Sequence, residues 1–230
     1  MATPKKALTE ELAAGPCLVL ETAVAPLRRT WAQRFTKRLL DYGIGAIGSV
    51  ITLFVTPIIA LILKLEDGGP VFYRREFVDC DGSVRFYLKF RTMSQDAEQR
   101  LHDDPALKRA FDLKYKLEDD PRVLRVGRFL RKYSIDEFPQ FFSLLTGRLT
   151  LVGPRVISRE ETSRYGDLLP KLLSVKPGLT GYWQVMGRQN TTYQRRIELD
   201  MFYIDHYSLR LDLRIVALTV WKVLRAEGAH

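Results

Sequence analysis

Apolar positions along the chain change rhythm several times, and each rhythm predicts a different element. From Tyr42 to Leu63 they form a run, YGIGAIGSVITLFVTPIIALIL, with 22 positions and no charged residue. Coiled as a helix, that run is roughly 33 Å long, enough to cross a bilayer core, with a buried core helix as the alternative. Basic residues lie on both sides of it: Arg28, Arg29, Arg34, Lys37 and Arg38 before, and Lys64, Arg74 and Arg75 after. The preference of Lys and Arg for the cytoplasmic side pulls both ends to one face, which a straight span does not allow. Pro57 removes one helix hydrogen bond, and the Thr56 hydroxyl can serve the freed backbone group. We therefore expect a re-entrant membrane helix over residues 31–66, broken at Thr56-Pro57, after a flexible start over residues 1–30 and before a catalytic-size domain over residues 67–230.

Beyond the run, VFYRREFV and VRFYLKFRTM are rich in aromatic and β-branched residues and are joined by Asp79-Cys80-Asp81-Gly82, a turn sequence. This predicts a small β-hairpin, with Lys89 and Arg91 two positions apart on one strand face. Residues Ser94 to Lys116 read as a polar helix. The next stretch, DDPRVLRVGRFLRKYS, places Val126, Phe129 and Leu130 on one helical face among Arg125, Arg128, Arg131 and Lys132, as suits an interfacial helix on anionic lipid. LTGRLTLVGPR predicts a turn, a short strand and Arg155, and VKPGLTGYWQVMGR a glycine-rich segment carrying Gln184 and Arg188. The last segment, LDMFYIDHYSLRLDLRIVALTVWKVL, has helical spacing, with Tyr203, Tyr207 and Trp221 as interface anchors or as core. The fold class is thus α+β, mostly helical, with a hairpin, amphipathic interfacial helices and one membrane segment.

The stretch YSIDEFPQFF sets two carboxylates, Asp136 and Glu137, side by side after a basic run. Ser134 and Glu137 have the spacing of a capping box, so a helix start is the simpler account of the segment taken alone.

Composition narrows the partners. A formal charge of +9 over 230 residues implies an anionic one: nucleic acid, an acidic membrane or a phosphorylated substrate. No helix-turn-helix, zinc or aromatic-platform pattern supports nucleic acid. Cys17 and Cys80 lie far apart and three scattered His residues offer no zinc spacing. A non-catalytic membrane scaffold remains as a rival for the amphipathic segments.

Taken in order, KFRTM, DPRVLRVGRFLRKYSIDEFPQ, LVGPR, KPGLTGYWQVMGR and YSLRLDLRIVALTVWKVL resemble the monotopic phosphoglycosyl transferases, the bacterial sugar transferase family, from about Lys37 onward. The resemblance implies a short form of that family. It implies transfer of a sugar 1-phosphate from a UDP-sugar to undecaprenyl or another polyprenol phosphate, with Mg2+ and release of UMP, at the cytoplasmic face of a bacterial inner membrane. The products would enter exopolysaccharide, lipopolysaccharide or other glycoconjugate synthesis. Asp136 then corresponds to the nucleophile and Glu137 to its metal-binding partner, both being metal candidates, while Lys89, Arg91, Arg155, Gln184 and Arg188 fall in motifs that suit phosphate and nucleotide binding. The implied partners are the UDP-sugar, the lipid carrier and anionic lipids, with room for a homodimer and no nucleic acid. A helix N-terminus at the dyad is expected to keep Asp136 charged. Phe138 stands where the family commonly has Leu, Val156 where it often has Pro, and Thr56 where Ser is frequent.

Overall fold

The computed structural model describes residues 30–114, 120–187 and 192–225. Most of the expected flexible start, residues 1–29, lies outside the described residues. The first element is a helix, α1, Trp31–Asp67, 37 residues long. Its start is a capping box: the Thr30 hydroxyl accepts from Gln33 N and the Gln33 side chain accepts from Thr30 N. It stops at Gly68, whose φ of 71° is left-handed and suits glycine.

The expected break at Thr56-Pro57 is not a break in secondary structure, because α1 stays helical across both residues. Pro57 deletes one hydrogen bond, but threonine hydroxyls occupy carbonyls nearby: Thr56 Oγ1 donates to Thr52 O at 2.6 Å. Thr52 Oγ1 lies 2.7 Å from Gly48 O and 3.1 Å from Phe138 O. Packing on either side of Pro57 then holds the helix in register, with Gly48 and Thr52 buried before it and Ile59 and Leu63 after it.

The hairpin follows as β1, Phe72–Val78, and β2, Val84–Phe90, paired antiparallel with Arg75 opposite Tyr87 and Tyr73 opposite Lys89. The single polar helix expected next is two short ones, α2, Ala97–Asp103, and α3, Pro105–Lys114, because the proline begins a new helix after Asp104. Then come α4, Arg125–Lys132, a 3-10 helix over Ile135–Gln140, α5, Phe141–Leu145, and β3, Thr150–Val152. The chain closes with α6, Leu169–Leu173, β4, Gly178–Thr180, α7, Tyr182–Met186, α8, Tyr193–Asp205, and α9, Leu209–Leu224.

Strands β3 and β4 form a second, parallel pair that the sequence pattern does not announce. The glycines of this region serve it by close approach, since a Cβ on Gly178 would lie 2.2 Å from Gly153 N. The main core joins Phe77 and Tyr87 of the hairpin to Leu144, Val152, Tyr203 and Ile215. A second cluster seats Ile59 and Leu63 of α1 against Phe90 and Leu130. Tyr203 is thus core rather than an interface anchor, whereas Trp221 is exposed. On α4, Leu130 is buried and Phe129 is exposed, so the two do not share a face.

Helix α1 touches this body along its whole length. Near its start, Lys37 Nζ donates to Asp212 Oδ2 and to Val152 O, each at 2.7 Å, and Asp41 accepts from Leu151 N and Thr150 Oγ1. In its middle, Gly48 lets α1 approach α5 so closely that a Cβ would sit 2.3 Å from Phe141 Cγ. At its end, the Glu66 carboxylate accepts from Arg125 N and Val126 N at the start of α4, and Asp67 grips Arg91. The rest is apolar and outward-facing: only 28% of its most apolar stretch is buried, and by length and composition it is able to cross a membrane.

Candidate active site

The turn between α4 and the 3-10 helix is made by Ser134, whose φ of 53° puts it in the left-handed region. A serine there cannot cap the next helix with its side chain, and it makes no such bond. The capping box suggested by Ser134 and Glu137 is therefore absent, and the Glu137 carboxylate is free to reach elsewhere. It accepts from Lys89 Nζ at 2.5 Å, across from β2. The same ammonium lies 3.9 Å from Asp136 Oδ2.

Asp136 and Glu137 have neighbouring positions but different electrostatics. Burial pushes the Asp136 carboxyl up to about 6, against the pull of Lys89 and with a further push from Glu137. Burial opposes ionisation of Glu137 as well, but Lys89, by charge and by hydrogen bond, holds that carboxyl below its ordinary value. Lys89 is itself penalised by burial, yet Glu137 raises its pKa, so it remains an ammonium. Asp136 stays mostly ionised at neutral pH as expected, but the element is a six-residue 3-10 helix, and it is Lys89 and Arg131 that oppose the desolvation raising this carboxyl.

The other predicted residues separate into groups. Arg91, one residue past β2, still donates its backbone N–H to Val71 O at 2.9 Å, but it does not join Lys89 at the dyad. Its guanidinium is held by both oxygens of Asp67, by Pro70 O at 2.5 Å and by Met93 O at 3.1 Å, which makes it a clamp on the end of α1. Thr56 and Pro57 lie within α1, away from these charges in sequence and role. Arg155 follows β3 and stands over the Trp183 ring, 4.9 Å from its centroid. Gln184 is the next residue on α7, with its amide donating to Leu179 O at 3.3 Å. Arg188 lies outside the described residues.

Three cations at this site carry no signal that we drew from the sequence. Arg131 bonds Thr92 through Nε and lowers the Asp136 pKa by its charge. Arg196 of α8 pairs with Glu161 at 2.8 Å and stands over Trp183 and Tyr193. Arg75 of β1 projects on the hairpin face that carries Lys89, as strand alternation and the register require, so alternation could have found it. Beneath them Asp200 is fully buried; it accepts from Arg155 N and Tyr165 Oη, each at 3.3 Å, and burial pushes its carboxyl up to about 7.

Among the described residues no group of three or more His, Cys, Asp or Glu is placed to hold a metal. Mg2+ is often held by one or two carboxylates together with substrate phosphates, and an adjacent, ionisable Asp-Glu pair fits that mode.

Residues 32–226 match the model of the bacterial sugar transferase family. The chain belongs to that family. A bacterial sugar transferase named UDP-galactose-lipid carrier transferase, from Erwinia amylovora, is 38% identical over 204 residues, covering 86% of this chain and 42% of that protein. The undecaprenyl-phosphate galactose phosphotransferase of Salmonella typhimurium is 36% identical over 206 residues, with 86% and 42% covered. The exopolysaccharide production protein ExoY of Sinorhizobium fredii is 36% identical over 199 residues, with 85% and 88% covered. The chain thus spans less than half the length of several relatives and most of the length of others.

Proposed function

We propose that this bacterial sugar transferase moves a sugar 1-phosphate from a UDP-sugar to undecaprenyl phosphate or a related polyprenol phosphate, and so starts a polysaccharide or other glycoconjugate. The observation that carries this reading is the arrangement of Asp136, partly buried between Lys89 and Arg131, beside an ionised Glu137.

At neutral pH most Asp136 is carboxylate, so it needs no separate base to act as a nucleophile. Its oxygen attacks the sugar-bearing phosphorus of the donor, the bond from that phosphorus to the UMP oxygen breaks, and UMP leaves. The aspartyl phosphosugar that remains is attacked at phosphorus by an oxygen of the lipid phosphate. That restores the Asp136 carboxylate and yields the lipid diphosphate sugar. Even with its pKa raised by burial, this carboxylate is far less basic than an alkoxide, so it also leaves readily in the second step. Lys89 and Arg155 offset phosphate charge as it approaches two carboxylates. Mg2+, held by Glu137 and Asp136, would add Lewis-acid stabilisation of phosphate oxygens.

Helix α1 supports a place at the membrane surface. Its exposed side carries Phe35, Ile47, Phe54, Ile58 and Leu61, while its start, middle and end all pack on one body. A helix tied at both ends to the same domain enters one leaflet more readily than it crosses two. We place it as a re-entrant element on the cytoplasmic face of the inner membrane, with the basic surface toward anionic lipid.

The test is UMP release by protein in nanodiscs with Mg2+, undecaprenyl phosphate and a panel of UDP-sugars, galactose and glucose first. Multiple turnovers that need the carrier and vanish in Asp136→Asn support the assignment. Release of UDP, or full activity in Asp136→Asn, sinks it.

A further inference from the structure

Four buried polar atoms around the Trp183 indole have no hydrogen-bond partner: Arg155 Nε, Arg196 Nε, Trp183 Nε1 and Gln184 Oε1. Buried polar groups are nearly always satisfied, so three idle donors and one idle acceptor in one neighbourhood point to a missing ligand. The two arginines both stand over the same ring, at 4.9 and 5.5 Å from its centroid, and each feels the other's charge. Like charges are brought together at a cost, which an anion between them removes.

Arg75 extends this cluster toward the dyad. It is half-buried, yet among the described residues its side chain makes no hydrogen bond and no ion pair. Register puts it opposite Tyr87 and diagonal to Lys89, whose partner is Glu137. Its charge acts on Glu137 at one end and on Arg155 at the other. The positive groups therefore form one cluster: Arg155 and Arg75 both act on Glu137, and Arg155 shares the Trp183 ring with Arg196.

We propose that Arg75, Arg155 and Arg196 form a guanidinium rail that binds the diphosphate of the donor, with the nucleoside directed to Trp183 and Gln184. This deepens the function proposed above and rests on it for the identity of the donor. The rail also fixes polarity: the sugar-bearing phosphorus lies at the Asp136 end and the leaving nucleotide at the Trp183 end. The idle acceptor suits that end, because a diphosphate offers no hydrogen, whereas a uracil offers one N–H beside two carbonyl oxygens. Planar guanidinium groups suit the rest, since each can hold two phosphate oxygens at once.

Trp183 is its own reporter. The chain has three tryptophans, and Trp31 and Trp221 are exposed, so W31F/W221F leaves a single indole at the site. With Asp136→Asn added to stop turnover, protein in nanodiscs is titrated with inorganic pyrophosphate and separately with UMP. We expect saturable changes in Trp183 emission, and R75Q and R196Q are each expected to raise the pyrophosphate Kd by at least about tenfold. Arg196→Lys, which keeps the charge, should fall between wild type and R196Q, and it replaces R196Q if that variant melts early. Unchanged pyrophosphate binding in R75Q overturns the rail, as does calorimetric binding that leaves Trp183 silent. If pyrophosphate binding depends on both arginines but UMP and UDP-sugars fail to compete, the rail stands and the uridine donor is wrong.

Discussion

Two regions of this molecule bury charge, and they do so in opposite ways. Where α1 meets the body, every charge is closed. Lys37 meets Asp212, whose other oxygen accepts from Tyr203 Oη at 2.7 Å, Asp41 takes Thr150 and Leu151, and Asp67 takes Arg91. Around the dyad the charges stay open. Lys89 serves two carboxylates, the Arg75 side chain has no acceptor among the described residues, and Arg155 and Arg196, the latter paired with Glu161, keep idle Nε–H groups. The first arrangement is complete without a ligand and the second is not. Buried charge by itself is therefore a poor marker of function; unfinished buried charge is a good one.

The comparison breaks most sharply at Asp136. If Asp136 is the proposed nucleophile, Asp136→Asn should lower UMP release by about a thousandfold or more while leaving the melting temperature equal to or above that of the parent. Lys89→Met should cost about a hundredfold in kcat/KM and shift the acidic limb of the pH-rate profile upward from about 6, because the main attraction lowering the Asp136 pKa is gone. In the closed region the sign of the outcome reverses. Asp67→Ala should destabilise by about 3 kcal/mol in denaturant unfolding, by leaving Arg91 buried without its carboxylate, and should spare kcat in the fraction that folds.

The smallest effect sharpens the boundary between the two regions. Asp200 is buried like the closed charges but lies under the open ones. Its folded-state pKa, about 7, exceeds the unfolded value of 3.8, so the folded chain holds the extra proton between those values. Stability contributed by this group is present at low pH and is lost as pH rises through that window. Asp200→Asn should therefore flatten the fall in melting temperature between about pH 4 and pH 7, by a few degrees.

The sequence pattern carried the parts of the fold that have a period. The hairpin, the long apolar helix and the α9 pattern follow from alternation and helical spacing, and the dyad with Lys89 follows from matched motifs. Arg91 goes to the end of α1 rather than to the dyad because Asp67 offers it a carboxylate, a long-range pairing that alternation along a strand does not reveal. The Ser134 cap failed because its spacing is that of a capping box but its backbone is left-handed. The short strand expected in LTGRLTLVGPR is β3, but its pairing with β4 could not be seen, since the partner strand is three residues long and lies 25 residues further on. Arg131 and Arg196 were hidden in plain composition, whereas alternation could have found Arg75: among 36 Lys and Arg residues, placement tells a ligand-facing cation from a solvated one. The continuity of α1 through Pro57 was likewise a matter of packing that no local rule contains.

That continuity decides how the protein can be handled. An anchor joined to a domain by a linker can be cut away to leave a soluble enzyme, but α1 is not joined in that way. It supplies Leu63 to the second core cluster, Glu66 to the first turn of α4 and Asp67 to Arg91. Trimming the chain to remove its greasiest part would remove a wall of the building, and expression should yield aggregates rather than a soluble fragment. Because the same helix also keeps its apolar side outward, a preparation with lipid or detergent is expected to stay dispersed better than one without it.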